Sequence, residues 1–266
     1  MATSFTQNAT SSGSAGPTDL QLSFEDIYVE ISDYLGWSRT PAGQRLATVR
    51  RYANDGYRVF LMGADPRTGE AHEWSFLAPA ASLDVAAGAE AVSLPGDFQC
   101  VVDDFTFGPA GPGGRLRQVS VLEIERLRAG SGGARGVPSL YAVRPAPPLS
   151  ESGQRYQALL WPVPAQDCSL RWRYRVSVPE MSTATDYPVG GAAHSQTILQ
   201  AGLMIAEARA NDGQTGGVAG YHKALFEQLM AHSISLDRRL APGSLGACAE
   251  GRRGVAWDRR GTVTYG

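Results

Sequence analysis

Four histidines, His72, His194, His222 and His232, are the first candidates for acid–base or metal chemistry in this 266-residue chain. None lies in HExxH or HxH spacing, so metal ligation has no support. His72 adjoins Glu73, but neighbours on a strand point to opposite faces, which argues against an acid–base pair. His194-Ser195 lacks the GxSxG elbow of a nucleophilic serine and reads as a polar helix start. Asp103-Asp104 could touch calcium, yet no DxDxDG loop surrounds them. Cys100, Cys168 and Cys248 are far apart and odd in number, which argues against a zinc site or a disulfide scaffold and for free thiols. The glycine-rich stretch at residues 108–114 carries no Gly-Lys-Ser/Thr, and its prolines remove amides a phosphate cradle would use. It reads as a hairpin tip or contact loop. The residues thus point to no catalytic site, no cofactor and no metal.

One basic pattern remains. Over residues 170–178, Leu170, Trp172, Tyr174, Val176 and Val178 alternate with Arg171, Arg173, Arg175 and Ser177. Strict alternation marks a half-buried strand with an arginine face. Such a face suits either solvent or an acidic patch on a neighbouring subunit. Lys223 is the only lysine, so nearly all positive charge is guanidinium, the group best made for planar contacts in interfaces.

The elements that would position these residues follow from periodicity. Ser23 caps a helix with Phe24, Ile27, Tyr28, Ile31 and Leu35 on one face, stopped by Gly36. A second helix starts at Thr40 with Pro41 in its first turn, carries Ala42, Leu46, Val49 and Ala53 inward, and ends near Gly56. Residues 65–69 (DPRTG) form a turn between 57–62 and 72–77, and Trp74 and Phe76 open a β-rich region reaching about Val178. Residues 140–144 and 156–161 are further strands, and Ser120 with Glu123 makes a capping box for a short helix over 122–128. Helical period returns at 192–209, with Ile198, Ala201, Gly202 and Ile205 on one face, and at 221–240, with Tyr221, Leu225, Leu229, His232 and Leu236.

The expected fold class is therefore α+β: a helical bundle formed by the N- and C-terminal helices, an inserted antiparallel β domain, and extended terminal arms. The expected divisions are an N-terminal arm (1–21), helices of the bundle (22–62), the β-rich insertion (63–185), helices completing the bundle (186–240) and a C-terminal arm (241–266). The last segment holds Arg252, Arg253, Arg259 and Arg260 against Glu250 and Asp258, with Val255, Trp257, Val263 and Tyr265 weakly alternating. It resembles an arm that adds to a neighbour's sheet edge.

Composition fits this picture. Charged residues are 19%, with 31 glycines and 16 prolines, an excess suited to turns and arms. A net charge of −2 gives no general attraction to nucleic acid. The first 17 residues lack the basic and apolar regions of a signal peptide, and no stretch approaches the roughly 20 apolar residues of a membrane span. The sequon at Asn8 then carries no meaning.

The order of these pieces resembles the head-to-tail adaptor (connector) proteins of tailed bacteriophages. The resemblance rests on the two N-terminal helices, Trp74-Ser75-Phe76-Leu77, Leu94-Pro95-Gly96-Asp97-Phe98, Gly136-Val137-Pro138 with Tyr141-Ala142, and Trp161-Pro162-Val163-Pro164. The Arg171–Tyr174 strand, His194 before the run at 203–208, and the spacing of Phe226, Leu229 and Asp237 complete it. It covers about residues 22–240; Gly96, where the family pattern carries an acid, and the long C-terminal arm depart from it. The resemblance implies a non-enzymatic virion subunit, assembled in the host cytoplasm into a ring, dodecameric by the family's habit. The ring would dock on the portal protein, meet tail or neck proteins on its other face, and pass DNA through its lumen without sequence-specific binding. Contact residues would be Arg171, Arg173 and Arg175 together with Arg252, Arg253, Trp257, Arg259, Arg260 and Tyr265. Two other readings stand beside it: a tail-completion or neck protein one ring further down, and a carbohydrate-binding or hydrolytic tail module using aromatics near Trp161 and Trp172.

Overall fold

The structure, a computed structural model, describes residues 20–109, 111–131, 133–147, 153–210 and 220–240. The expected arms lie outside these, apart from the last two residues of the N-terminal one. Among the described residues are five helices: α1 (Phe24–Tyr34), α2 (Gly43–Met62), α3 (Val121–Ser131), α4 (Ala192–Ala210) and α5 (Tyr221–Leu240). Nine strands accompany them: β1 (Ala80–Val85), β2 (Ala91–Ser93), β3 (Phe98–Phe107), β4 (Arg117–Gln118), β5 (Arg135–Gly136), β6 (Leu140–Pro145), β7 (Tyr156–Trp161), β8 (Val163–Pro164) and β9 (Cys168–Val176). The fold is mixed α+β. It divides into two compact units, Met1–His72 with Glu180–Gly266, and Glu73–Pro179.

In the first unit α4 is the central element: α2, α5 and α1 all pack against it, and α1 packs on α2. Eleven of its residues are buried, from His194 to Glu207, so it has no single apolar stripe and is enclosed on several sides. Ser23 caps α1 as expected. Its Oγ accepts from the Asp26 amide at 3.2 Å and the Asp26 carboxylate accepts from the Ser23 amide at 2.8 Å, a reciprocal pair satisfying two donors at the helix start.

Two expectations about these helices are corrected. First, α2 does not stop near Gly56; it begins at Gly43 and runs on to Met62, ending at Gly63 in the left-handed region (φ 65°). Gly56 is a packing residue. A Cβ built on it would lie 2.6 Å from the Ala201 carbonyl carbon and 2.6 Å from Gly202 Cα of α4, so only glycine lets the two backbones approach. The inward stripe moves along accordingly: Ala42 is exposed, and Asn54, Tyr57 and Phe60 are buried with Val49 and Ala53. Second, the buried face of α5 is Phe226, Met230, Ser233, Ile234 and Asp237; Leu225 and Leu229 are only half-buried, while Tyr221 and His232 are exposed. The true face includes polar residues, and that hid it from a search for apolar periodicity.

Asn54 ties the chain where it returns to this unit. Its amide nitrogen donates to Met181 O and its amide oxygen accepts from Met181 N, each at 3.0 Å and buried. One side chain thereby satisfies both polar groups of a backbone residue that has no ladder partner.

The second unit holds three sheets, with orders β1-β9-β3, β2-β7-β6-β4 and β5-β8. Pairings are antiparallel except β4 with β6 and β5 with β8. Strands β6, β7 and β9 lie within two residues, at each end, of the strands expected at 140–144, 156–161 and 170–178. Trp74 and Phe76 do not start a strand: residues Ser75–Leu77 form a 3₁₀ turn in which the two rings stack at 5.3 Å, with Trp74 buried. Ring–ring contact holds this segment where ladder bonds were expected. The main core gathers Phe98, Phe105, Tyr141, Leu160, Leu170, Trp172 and Tyr174, with Phe105 centred 4.7 Å from both Tyr141 and Trp172. Each such aromatic pair adds about 0.5–1.5 kcal/mol beyond area burial. Ile124 of α3 packs with Ala142, Leu159 and Trp161 in a smaller cluster, and Ser120 Oγ accepts from the Glu123 amide at 3.1 Å at the start of α3.

Candidate docking surfaces

The arginine row of β9 is built by alternation. Leu170, Trp172 and Tyr174 are buried in the core of the second unit, which turns Arg171, Arg173 and Arg175 to the other face. Two of the three charges are met within that unit. Arg173 lies opposite Asp103 in the β3–β9 register; its guanidinium sits 3.4 Å from the Asp103 carboxylate and its Nε donates to Ala78 O at 3.1 Å. Arg175 reaches Glu73 at 3.5 Å. Arg171 has no acidic partner among the described residues.

The same register separates Asp103 from Asp104. Asp104 accepts a hydrogen bond from the Tyr141 hydroxyl at 2.8 Å on the opposite side of β3, so the two carboxylates form no common cation cup. Burial, followed by the hydrogen bond to Asp104 and then that carboxylate's charge, pushes the Tyr141 hydroxyl well above the usual tyrosine range. Tyr174 is likewise raised, to about 12, by burial and then by Asp97, which accepts from its hydroxyl at 3.1 Å.

Beside Arg171 opens a cleft of about 720 Å³. Its walls are the glycine- and proline-rich stretch after β3 (Phe107, Pro109, Pro112), the Gly136–Val137–Pro138 segment, and the turn into β9 (Ala165 to Cys168). Val137 is 56% exposed there, although most large apolar side chains of this unit are covered. The volume is that of a ligand-sized pocket, and the lining mixes apolar residues with Ser82, Gln166, Asp167, Ser169 and Arg171. Nothing in the lining suggests a reaction. The Cys168 thiol is pushed up by burial and then by Asp167, away from the reactive thiolate form.

The histidines are brought to other work. His72 Nε2 lies 2.7 Å from Asp237 of α5, both side chains being largely buried. Asp65, 2% exposed, lies 3.7 Å from Arg238 and 3.8 Å from Arg67, and accepts from the Arg67 amide at 3.0 Å. Thr197 and Ser233 share a buried hydrogen bond of 2.7 Å between α4 and α5. His222 Nδ1 pairs with Gln200 at 2.8 Å, and its amide donates to Glu207 at 3.2 Å. Burial lowers the His194 pKa, the Asp237 charge opposing and His232 and His72 reinforcing the shift. His222 is lowered by burial against the opposing pull of Glu207. These polar ties join helices and the 65–72 loop to one another, and sequence reasoning missed them. The one available signal was a run of polar residues, Ser233 and Asp237, at helical spacing from Met230. No group of three or more His, Cys, Asp or Glu side chains that could hold a metal ion exists among the described residues.

Arg252, Arg253, Trp257, Arg259, Arg260 and Tyr265 lie outside the described residues. The family-like motif residues, in contrast, are mostly interior: Trp74, Leu94, Phe98, Tyr141, Ala142, Trp161 and His194 are all buried. At the departing position, Gly96, the Arg155 guanidinium fills the space a side chain would need.

No helix among the described residues is long and apolar enough to cross a membrane. No curated protein sequence matches the chain. The sequence model described as SU10 adaptor protein matches residues 22–246, which span both units. With a match over most of its length, the chain belongs to the SU10 adaptor protein family, a family of phage head-to-tail adaptors.

Proposed function

We propose that this protein is a non-enzymatic ring subunit of the virion neck, docking on the portal protein on one side and on tail or neck proteins on the other. The family match over residues 22–246 carries the reading. The ring is dodecameric and assembles in the host cytoplasm, and DNA passes through its lumen without sequence-specific contact. A net charge of −2 is compatible with such a conduit, since dense positive charge would grip the passing duplex. The four helices of the first unit serve as the bundle of the ring wall, the β-rich residues 63–185 as the insertion, and residues 1–21 and 241–266 as arms reaching neighbours. A closed ring is the assembly in which such arms bury surface that one small subunit cannot bury alone.

Electron microscopy of the chain bound to its portal tests this: rings of counted symmetry are expected, and single copies scattered on the portal would overturn the ring. Charge reversal of Arg171, Arg173 and Arg175 together tests the strand face. Weakened docking or assembly supports its contact role, whereas unchanged behaviour assigns the face to solvent. Tight glycan binding or turnover by the purified chain would replace the adaptor reading with that of a tail module.

A further inference from the structure

The cleft beside Arg171 has features that select an occupant, and the inference rests on the ring reading above. We infer that it receives the C-terminal arm of a second copy of this chain, with Trp257 seated in the cleft. Three observations converge. The first is shape and lining: an open cleft of about 720 Å³, with Phe107, Val137 and three prolines among its walls, fits one large aromatic anchor.

The second is charge. Arg171 lines the cleft without an acidic partner among the described residues, and Trp257 is followed by Asp258. Asp167 lines the same cleft, its carboxylate accepting the Ala87 amide at 2.7 Å, and Asp84, exposed and unpaired among the described residues, lines a smaller pocket that shares Asp167, Cys168 and Ser169 with it. The arm carries Arg252-Arg253 before Trp257 and Arg259-Arg260 after it. The arm thus carries both signs beside its aromatic residue, as the cleft carries both Arg171 and Asp167 in its lining.

The third is reach and backbone. Residues 241–266 span up to about 85 Å when extended. Strand β1 is an edge of its sheet, and its Ser82 lines the same cleft. Val255, Trp257, Val263 and Tyr265 have the spacing of an extended segment that can lie along such an edge.

Cys168 in the cleft wall supplies the test. In the full chain carrying Cys100→Ser and Cys248→Ser, Trp257→Cys is oxidised with and without the portal protein. Inter-chain disulfide multimers that disappear on adding Cys168→Ser are expected. A 168–257 link within one chain, or no link in either condition, overturns the inference. A charge exchange gives a second readout by sedimentation. Arg171→Glu is expected to weaken self-association about tenfold, as loss of a complementary interface charge does, and Asp258→Arg in the same chain is expected to restore it. Unchanged association in Arg171→Glu overturns the proposed contact. The failures are separable: rings without the link refute the cleft and keep the ring, whereas inter-chain links without rings refute the ring and keep the cleft.

Discussion

Gly56→Ala is the sharpest test of how the helical unit is packed. A glycine inside an ordinary exposed helix costs about 0.5–1 kcal/mol relative to alanine, so the substitution would normally stabilise. Here the new methyl would lie 2.6 Å from two backbone atoms of α4. Backbone cannot rotate aside as a side-chain tip can, so α2 and α4 must separate along a buried seam. Overpacking of this kind costs roughly 1–3 kcal/mol, and loosening the contacts of Ala53 and Phe60 adds to it, so a net loss of about 2 kcal/mol is expected after the helix-propensity gain. Gly202→Ala is the internal comparison. Its methyl would meet Ile31 Cδ1 at 2.8 Å, the flexible end of a side chain, so the loss should be smaller. Urea unfolding followed by far-ultraviolet circular dichroism measures both. A Gly56→Ala protein as stable as wild type or more so, or Gly202→Ala as the more damaging of the two, would refute the close-approach argument.

Met230→Ala, truncating a fully buried side chain of α5, should cost about 2–5 kcal/mol, and Leu225→Ala, half-buried one turn earlier, clearly less; denaturant midpoints with the order reversed would return the helix to its apolar-stripe orientation. Asn54→Ala leaves the Met181 amide and carbonyl without their partner and should cost about 1–3 kcal/mol, read as a lower unfolding midpoint and faster amide exchange at Met181; unchanged exchange there would show that the tie is not needed. His194 and His222 are both lowered below 6.5 by burial, so the unfolded chain takes up their protons before the folded one does. Stability is therefore full above about pH 6.5 and falls as the solution is acidified below it. Thermal unfolding across that range should follow this sign, and His194→Gln should flatten the slope.

What the sequence displayed was periodicity, and what it concealed was polarity within the packing. Ser23 and Cys168–Val176 were legible because capping chemistry and period-two alternation are local properties of the chain. Helix α2 was cut short because Gly56 reads as a stop until the backbone of Gly202 is beside it. The face of α5 was read one residue out of place because Ser233 and Asp237 are inside, paired to Thr197 and His72, residues 36 and 165 positions away. No window along the chain contains those partners. The docking surfaces divide in the same way: the arginine row was visible as a pattern, but its partial neutralisation by Asp103 and Glu73 depends on sheet order and on a turn.

The two-part make-up of the helical unit has a consequence for the order of synthesis. Helices α1 and α2 leave the ribosome first, but the α4 they pack against begins only at Ala192, after the whole of Glu73–Pro179 has been translated. At roughly 5–20 residues per second, that interval lasts on the order of ten seconds. The β-rich unit can complete its own core in that time, whereas the inner faces of α1 and α2, with Ile31, Val49 and Phe60, wait in water. Nascent chains stalled before Ala192 are therefore the species in which chaperone capture or aggregation should concentrate.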